Sequence, residues 1–152
     1  MRRVADEYDY VFIDCPPTLG VLVTNAVYAA DEVLIPLTYS KYALDGVSDL
    51  FATIEAVKRN QPFRFKILRN AYDSRTGRSN EFVEENLAPY RDHLFGTIIR
   101  KSESVNQAQM AGVPVAVYDA RSHGAQDYAA LTEEILKDAK TRVQTEQAPH
   151  QG

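Results

Sequence analysis

With a single cysteine, Cys15, the sequence cannot form an internal disulfide, which suits a reducing cytosol. No apolar run approaches the roughly 20 residues of a membrane span, and no signal peptide opens the chain. There is no basic excess either. The net charge is −4, so any binding of nucleic acid must use a local patch rather than a global field. The histidines, His93, His123 and His150, stand singly without metal-ligand spacing, and there are no repeats or low-complexity linkers. Glycine is the most telling shortage. A phosphate-cradling loop needs glycines at short spacing followed by lysine and Ser/Thr, because backbone N–H groups must approach the phosphates closely. The seven glycines are dispersed, and none is followed by lysine. What these absences leave is an expected soluble, cytoplasmic protein whose 152 residues fit one core.

The most informative stretch is Asp9-Tyr10-Val11-Phe12-Ile13-Asp14-Cys15-Pro16-Pro17. Val11, Phe12 and Ile13 are the residue types that sit inside a two-sided sheet, and the two prolines forbid continuation. The reading is a buried strand with Asp14 at its carboxyl end, where open α/β sheets bind ligands. A carboxylate there suits Mg²⁺ held through water beside a phosphate. The plainer alternative is an acid that closes a strand and caps the next turn.

Around that stretch the pattern predicts alternating elements. Met1 to Glu7 reads as the end of a helix, and Thr18 as the cap of a helix running through about Ala29. Glu32 to Leu37 is a strand, and Leu44, Val47, Leu50, Phe51, Ile54 and Val57 mark an amphipathic helix whose end carries Lys58 and Arg59. Phe63 to Arg69 is a third strand. Ser79 caps a helix to about His93, with Phe82, Val83, Leu87 and Tyr90 inward and Pro89 bending it. Leu94 to Ile99 is a fourth strand, and Gly112-Val113-Pro114-Val115 opens an extended piece ending at Asp119. Ser122 to Gly124 starts a last helix with Tyr128, Leu131, Ile135, Leu136 and Ala139 inward. Residues 141–152 read as a polar, disordered tail beyond a domain of residues 1–140, and without an apolar stripe they disfavour a membrane helix.

Tyr8 to Pro17, followed by Thr18-Leu19-Gly20 and Asn25-Ala26, resembles the ParA/Soj family of chromosome- and plasmid-partition ATPases. The similarity continues through Ala30 to Pro36, Tyr42-Ala43-Leu44-Asp45-Gly46, Tyr72-Asp73-Ser74-Arg75-Thr76, Gly112 to Val115 and Tyr118-Asp119, to about Leu136. It implies an α/β fold, a mostly parallel sheet with helices on both faces, forming part of a P-loop NTPase (ParA-like) fold. In family members the phosphate loop and the water-positioning acid precede the Asp-x-Pro-Pro strand. The chain therefore resembles the carboxyl-terminal half of a member, as a cut piece or a degenerate stand-alone relative, and no catalytic residue is assigned to it.

The resemblance also implies roles for particular residues. Asp14 holds Mg²⁺ through water, Asn70 offers its amide to the adenine edge, and Ile99 and Arg100 border the adenine. Arg75, Arg78 and Lys101 face DNA phosphates, and the segment after Pro17 follows nucleotide state near a dimer interface. Read from the residues alone, Asn70 is equally an Asx-turn residue, the two arginines a solvated face, and the segment after Pro17 a packed connector. Arg100 to Ala108 departs from the family: Arg100 replaces a proline, Ser104 stands at a usual arginine, and Asn106-Gln107 replace Ser-Glu. That places adenine and DNA binding by this loop in question.

The implied cofactors are Mg²⁺ and ATP. The implied partners are a second copy of the chain, a ParB-like protein and non-specific DNA, with nucleoid association where DNA binding is retained. Alone, the chain is expected not to hydrolyse ATP, because positioning and charge neutralisation supply nearly all of this catalysis. One alternative is a non-catalytic partition accessory, a dimerisation or DNA-binding module. Another is a receiver-like phosphoacceptor, for which the required paired acids cannot be placed. A parallel sheet cut through its middle exposes an apolar face, so self-association or a partner chain is expected to cover it.

Overall fold

A computed structural model describes residues 7–59 and 63–146. Two compact units emerge, one of residues 1–33 and 48–64, the other of residues 34–47 and 65–152. The helix end expected at residues 1–6 and the last six residues of the expected tail lie outside the described residues.

The first unit is built on helix α1 (Val21–Ala29) and the second half of helix α2 (Lys41–Lys58). Val23 and Val27 of α1 meet Ile54 of α2, which is fully buried, and Leu50, Phe51, Val57, Val33 and Phe63 pack around them. The three- and four-residue steps that predicted the apolar stripe of α2 supply these contacts. Lys58 donates from Nζ to the carbonyl of Ala30 (3.0 Å) and to that of Tyr28 (3.4 Å). Its charge therefore serves the carbonyl end of α1, a second use beside its favourable place at the end of α2. The start of α1 differs from expectation. The helix begins after Gly20, which bonds through no side chain, because Thr18 is used in a tight turn in which its amide donates to Pro16 and its carbonyl accepts from Gly20.

The expected strand over Asp9 to Asp14 is not formed. Phe12 is 75 % exposed and Val11 53 %, and no ladder takes up their backbone groups among the described residues. An apolar run with β propensity becomes a strand only where neighbouring strands take its N–H and C=O groups.

The second unit carries most of a three-stranded parallel sheet in the order β1 (Glu32–Thr38), β2 (Arg64–Tyr72), β3 (Leu94–Arg100). Ile67 pairs with Leu94, Arg69 with Ile98 and Tyr72 with Arg100, with two irregularities between them. Leu68, Phe95, Ile99 and Leu131 form a core cluster against which Ile135 packs. Burying an aliphatic side chain of this size contributes about 1.5–3 kcal/mol.

Helix α3 (Gly77–Leu87) buries Val83 and Leu87 but leaves Phe82, expected inward, 46 % exposed. It starts two residues before Ser79, and a 3-10 segment, Ala88–His93, follows it at Pro89. Helix α4 (Glu103–Ala111) ends at Gly112, whose φ of 67° closes a Schellman turn in which Val113 donates to Ala108. The piece expected to be extended contains a helical turn, α5 (Val115–Tyr118), which Pro114 starts. Ser122 Oγ accepts from the amide of Ala125 and so caps α6 (His123–Glu146), which continues past residue 140.

The inner face of α6 is the expected one in part. Leu131 is buried and Ile135 and Ala139 turn inward, whereas Tyr128 and Leu136 are 39 % and 40 % exposed. The acids Asp127, at 8 %, Glu134 and Asp138 turn inward as well. Glu134 accepts from the β3 amides of Gly96 (2.7 Å) and Thr97 (2.9 Å). Asp127 accepts from the Arg100 amide (2.9 Å), and Asp138 pairs with Lys66 of β2 (3.3 Å). Gly124 is what lets this helix come close. A Cβ there would lie 2.7 Å from both Ser102 Oγ and Val105 Cγ2.

Candidate functional site

The carboxyl ends of adjacent parallel strands are where such sheets present side chains to ligands. In the second unit, those of β2 and β3 are tied together by the Lys101 amide, which donates to the Tyr72 carbonyl (2.9 Å). Asn70, Arg75, Arg78, Ile99, Arg100 and Lys101 are thereby gathered on two neighbouring strand exits.

Asn70 lies within β2 rather than beyond it. Its Oδ1 accepts from the Ala71 amide (2.9 Å), and Ala71 has a φ of 56°, an uncommon conformation for a residue with a Cβ. The amide oxygen is thus engaged locally, with the next residue rather than in the Asx-turn of the alternative, which bonds the amide two residues on. After Tyr72, the Asp73 carbonyl accepts from the Thr76 amide (3.1 Å), Thr76 Oγ1 (2.9 Å) and Asn80 Nδ2 (2.9 Å). Asn80 is buried, so this knot fixes the launch of α3.

Arg75 is bound within the same loop. Its Nε and Nη2 donate to Asp73 Oδ1 (2.9 Å) and Oδ2 (2.7 Å), and its amide donates to Oδ1 (3.0 Å). The hydrogen bonds from the Arg75 side chain and amide hold the Asp73 carboxyl far below the usual carboxylate range, with a further contribution from the charge of Lys101. Arg78 and Lys101 are exposed.

Behind the loop, Tyr39 donates to Glu84 Oε1 (2.7 Å) and its ring meets that of Tyr72 edge-on at 5.2 Å. Burial and the Glu84 contact raise the Tyr39 hydroxyl above its ordinary pKa, so it stays protonated as a donor. Glu84 pairs with Arg69, whose Nη2 donates to the Phe95 carbonyl (2.9 Å).

On β3, the Ile99 side chain is 2 % exposed in the core, which leaves only its main chain to meet a ligand. Arg100 forms a two-pronged pair with Asp127, Nη2 to Oδ1 at 2.7 Å and Nε to Oδ2 at 3.0 Å. Burial opposes the charge on Asp127, but the bonds from the Arg100 side chain and amide outweigh it and lower its pKa. Arg100 is a fastener between β3 and α6.

Asp14 belongs to the first unit, where it is exposed in the irregular segment before Pro16. No group of three His, Cys, Asp or Glu side chains among the described residues is arranged to hold a metal ion. Among the described residues, the candidates for Mg²⁺ and ATP are one exposed carboxylate in the first unit and, in the second, one amide whose oxygen is engaged locally.

The arrangement matches known proteins. A model of an AAA domain matches residues 1–67. The chromosome partitioning protein ParA of Myxococcus xanthus is 40 % identical over 140 residues, 90 % of this chain and 50 % of that protein. The sporulation initiation inhibitor protein Soj of Bacillus subtilis is 36 % identical over 138 residues, 89 % of this chain and 54 % of that protein. The cell division ATPase MinD of Pyrococcus furiosus superposes with a TM-score of 0.69 at 22 % identity, covering 90 % of this chain and 55 % of that one. The fold is therefore the MinD/ParA-like α/β fold. Over about nine-tenths of its length the chain is similar to the ParA and Soj partition proteins. It spans about half the length of the curated relatives it matches. No helix among the described residues is long and apolar enough to cross a membrane.

Sequence reasoning missed the acids that organise this face. Asp73 lies two residues from Arg75, a spacing that permits the local pair. Asp127, Glu134 and Asp138 follow a helical repeat along α6 that the apolar pattern alone did not single out.

Proposed function

We propose that this chain is a partition protein of the ParA type whose strand-exit face meets the DNA backbone, and that it does not hydrolyse ATP by itself. The carrying observation is the Lys101–Tyr72 bond, which sets Lys101 beside the loop of Arg75 and Arg78. Arg78 and Lys101 on adjacent exits, with Arg75 on the same loop paired to Asp73, suit phosphate contacts that position without reading sequence. Asp14, in the first unit, is this chain's candidate metal-facing acid, and Asn70, in the second, its candidate adenine contact. Bound Mg²⁺ would supply charge neutralisation. The relative in Treponema pallidum is named a chromosome-partitioning ATPase, which supports the nucleotide part of the reading. A second copy, a ParB-like protein and the nucleoid are the proposed partners and location.

Two measurements test this. Retention of non-specific duplex DNA should fall when Arg78 or Lys101 is changed to alanine. Phosphate release should match that of Asp14→Ala, and a rate clearly above that control overturns the non-hydrolytic reading.

The exposed run from Tyr8 to Ile13, with Leu19, Val21 and Leu22, favours a second reading, an accessory that works by self-association. It predicts association that ATP leaves unchanged.

A further inference from the structure

We propose that Asp73 is a built-in competitor for the DNA phosphate: it holds Arg75 in an internal ion pair and so withholds one cation from the strand-exit face. This rests on the reading of that face as a DNA surface. Arg75 has the most exposed side chain of the described ion pairs, at 79 %, and by position it would be the face's leading phosphate contact. Yet its Nε and Nη2, one whole edge of the guanidinium, point back to the two Asp73 oxygens, at 2.9 and 2.7 Å. The Asp73 side chain is only 18 % exposed, fixed by the Arg75 amide and by the turn in which its own carbonyl accepts three bonds. The carboxylate is thus pre-placed, whereas a DNA phosphate must arrive from solvent. Lys101 also lies within the field of Asp73. The loop's effective charge toward a polyanion is therefore one unit lower than a count of its arginines and lysines suggests, and binding is correspondingly weaker and less salt-dependent.

Asp73→Asn separates charge from architecture, because the asparagine Oδ1 still accepts from the Arg75 amide and the main-chain carbonyl is untouched. Binding of the full chain to a fluorescent non-specific duplex would be titrated across salt concentrations, with circular dichroism to confirm folding. One more phosphate contact steepens the log–log salt slope by about 0.9 and raises affinity roughly tenfold near 0.1 M salt. Arg75→Ala alone should change affinity little, but in the Asp73→Asn background it should erase the gain. The proposal is overturned if Asp73→Asn leaves affinity and slope unchanged or weakens binding. It is equally overturned if Arg75→Ala costs as much in the wild type as in the variant. Should Arg78→Ala and Lys101→Ala have no effect while the Arg75-dependent gain persists, the broader DNA face fails and the competitor role of Asp73 stands.

Discussion

The two units shelter their large side chains to different extents. In the first, residues from Tyr8 to Tyr28 leave large side chains in solvent, Phe12 at 75 %, Val21 at 76 % and Tyr28 at 74 %. In the second, Ile67 is fully buried on a paired strand, and carboxylates of α6 take amides of β3. Both regions contain apolar runs of similar propensity. The difference shows that a strand is made by its partners: Phe65 to Leu68 lies in β2, which pairs with β3, and Val11 to Ile13 has no described neighbour.

The sharpest way to break this comparison is a cavity. Ile67→Ala should destabilise the second unit by about 2–5 kcal/mol in urea unfolding, because its packed surroundings cannot collapse around the gap. Gly124→Val comes next. The new side chain would drive into Ser102 and Val105, and a loss of about 1–3 kcal/mol is expected by the same assay.

Glu134→Ala removes a charged acceptor from two amides and should cost about 1–3 kcal/mol. Burial acts against the Glu134 charge, but the Gly96 and Thr97 bonds outweigh it, so its native pKa lies below the unfolded one, as for Asp127. Their contribution is therefore full above the ordinary carboxylate range and is lost as pH falls through the depressed native values. Thermal midpoints measured down through that acid range should drop, and less steeply in Glu134→Gln. Phe12→Ser should have the smallest effect, within about 0.5 kcal/mol. A large loss there would show that the first unit buries this run after all.

Much of the fold was legible because hydrophobic period reports local structure. Leu50, Phe51, Ile54 and Val57 announced α2, and Ser122 to Gly124 announced the start of α6, whereas α4 and its end at Gly112 were not foreseen. The site was legible only as an assembly of residues. That Asn70 spends its oxygen on Ala71, that Arg75 bonds Asp73 and that Arg100 bonds Asp127 depend on side-chain geometry, which spacing does not determine. The strand at Asp14 was misread for the complementary reason. Pro-Pro and an apolar run describe how a strand ends, not whether it is paired.

The grip of α6 on β3 has a bearing on how copies of this chain meet. β3 is the outermost strand at one side of the described sheet, and Glu134 and Asp127 already occupy the amides of Gly96, Thr97 and Arg100. An incoming strand would have to displace two carboxylates to gain those same donors. Sheet extension at this border therefore carries the cost of two charged acceptors that must first be displaced.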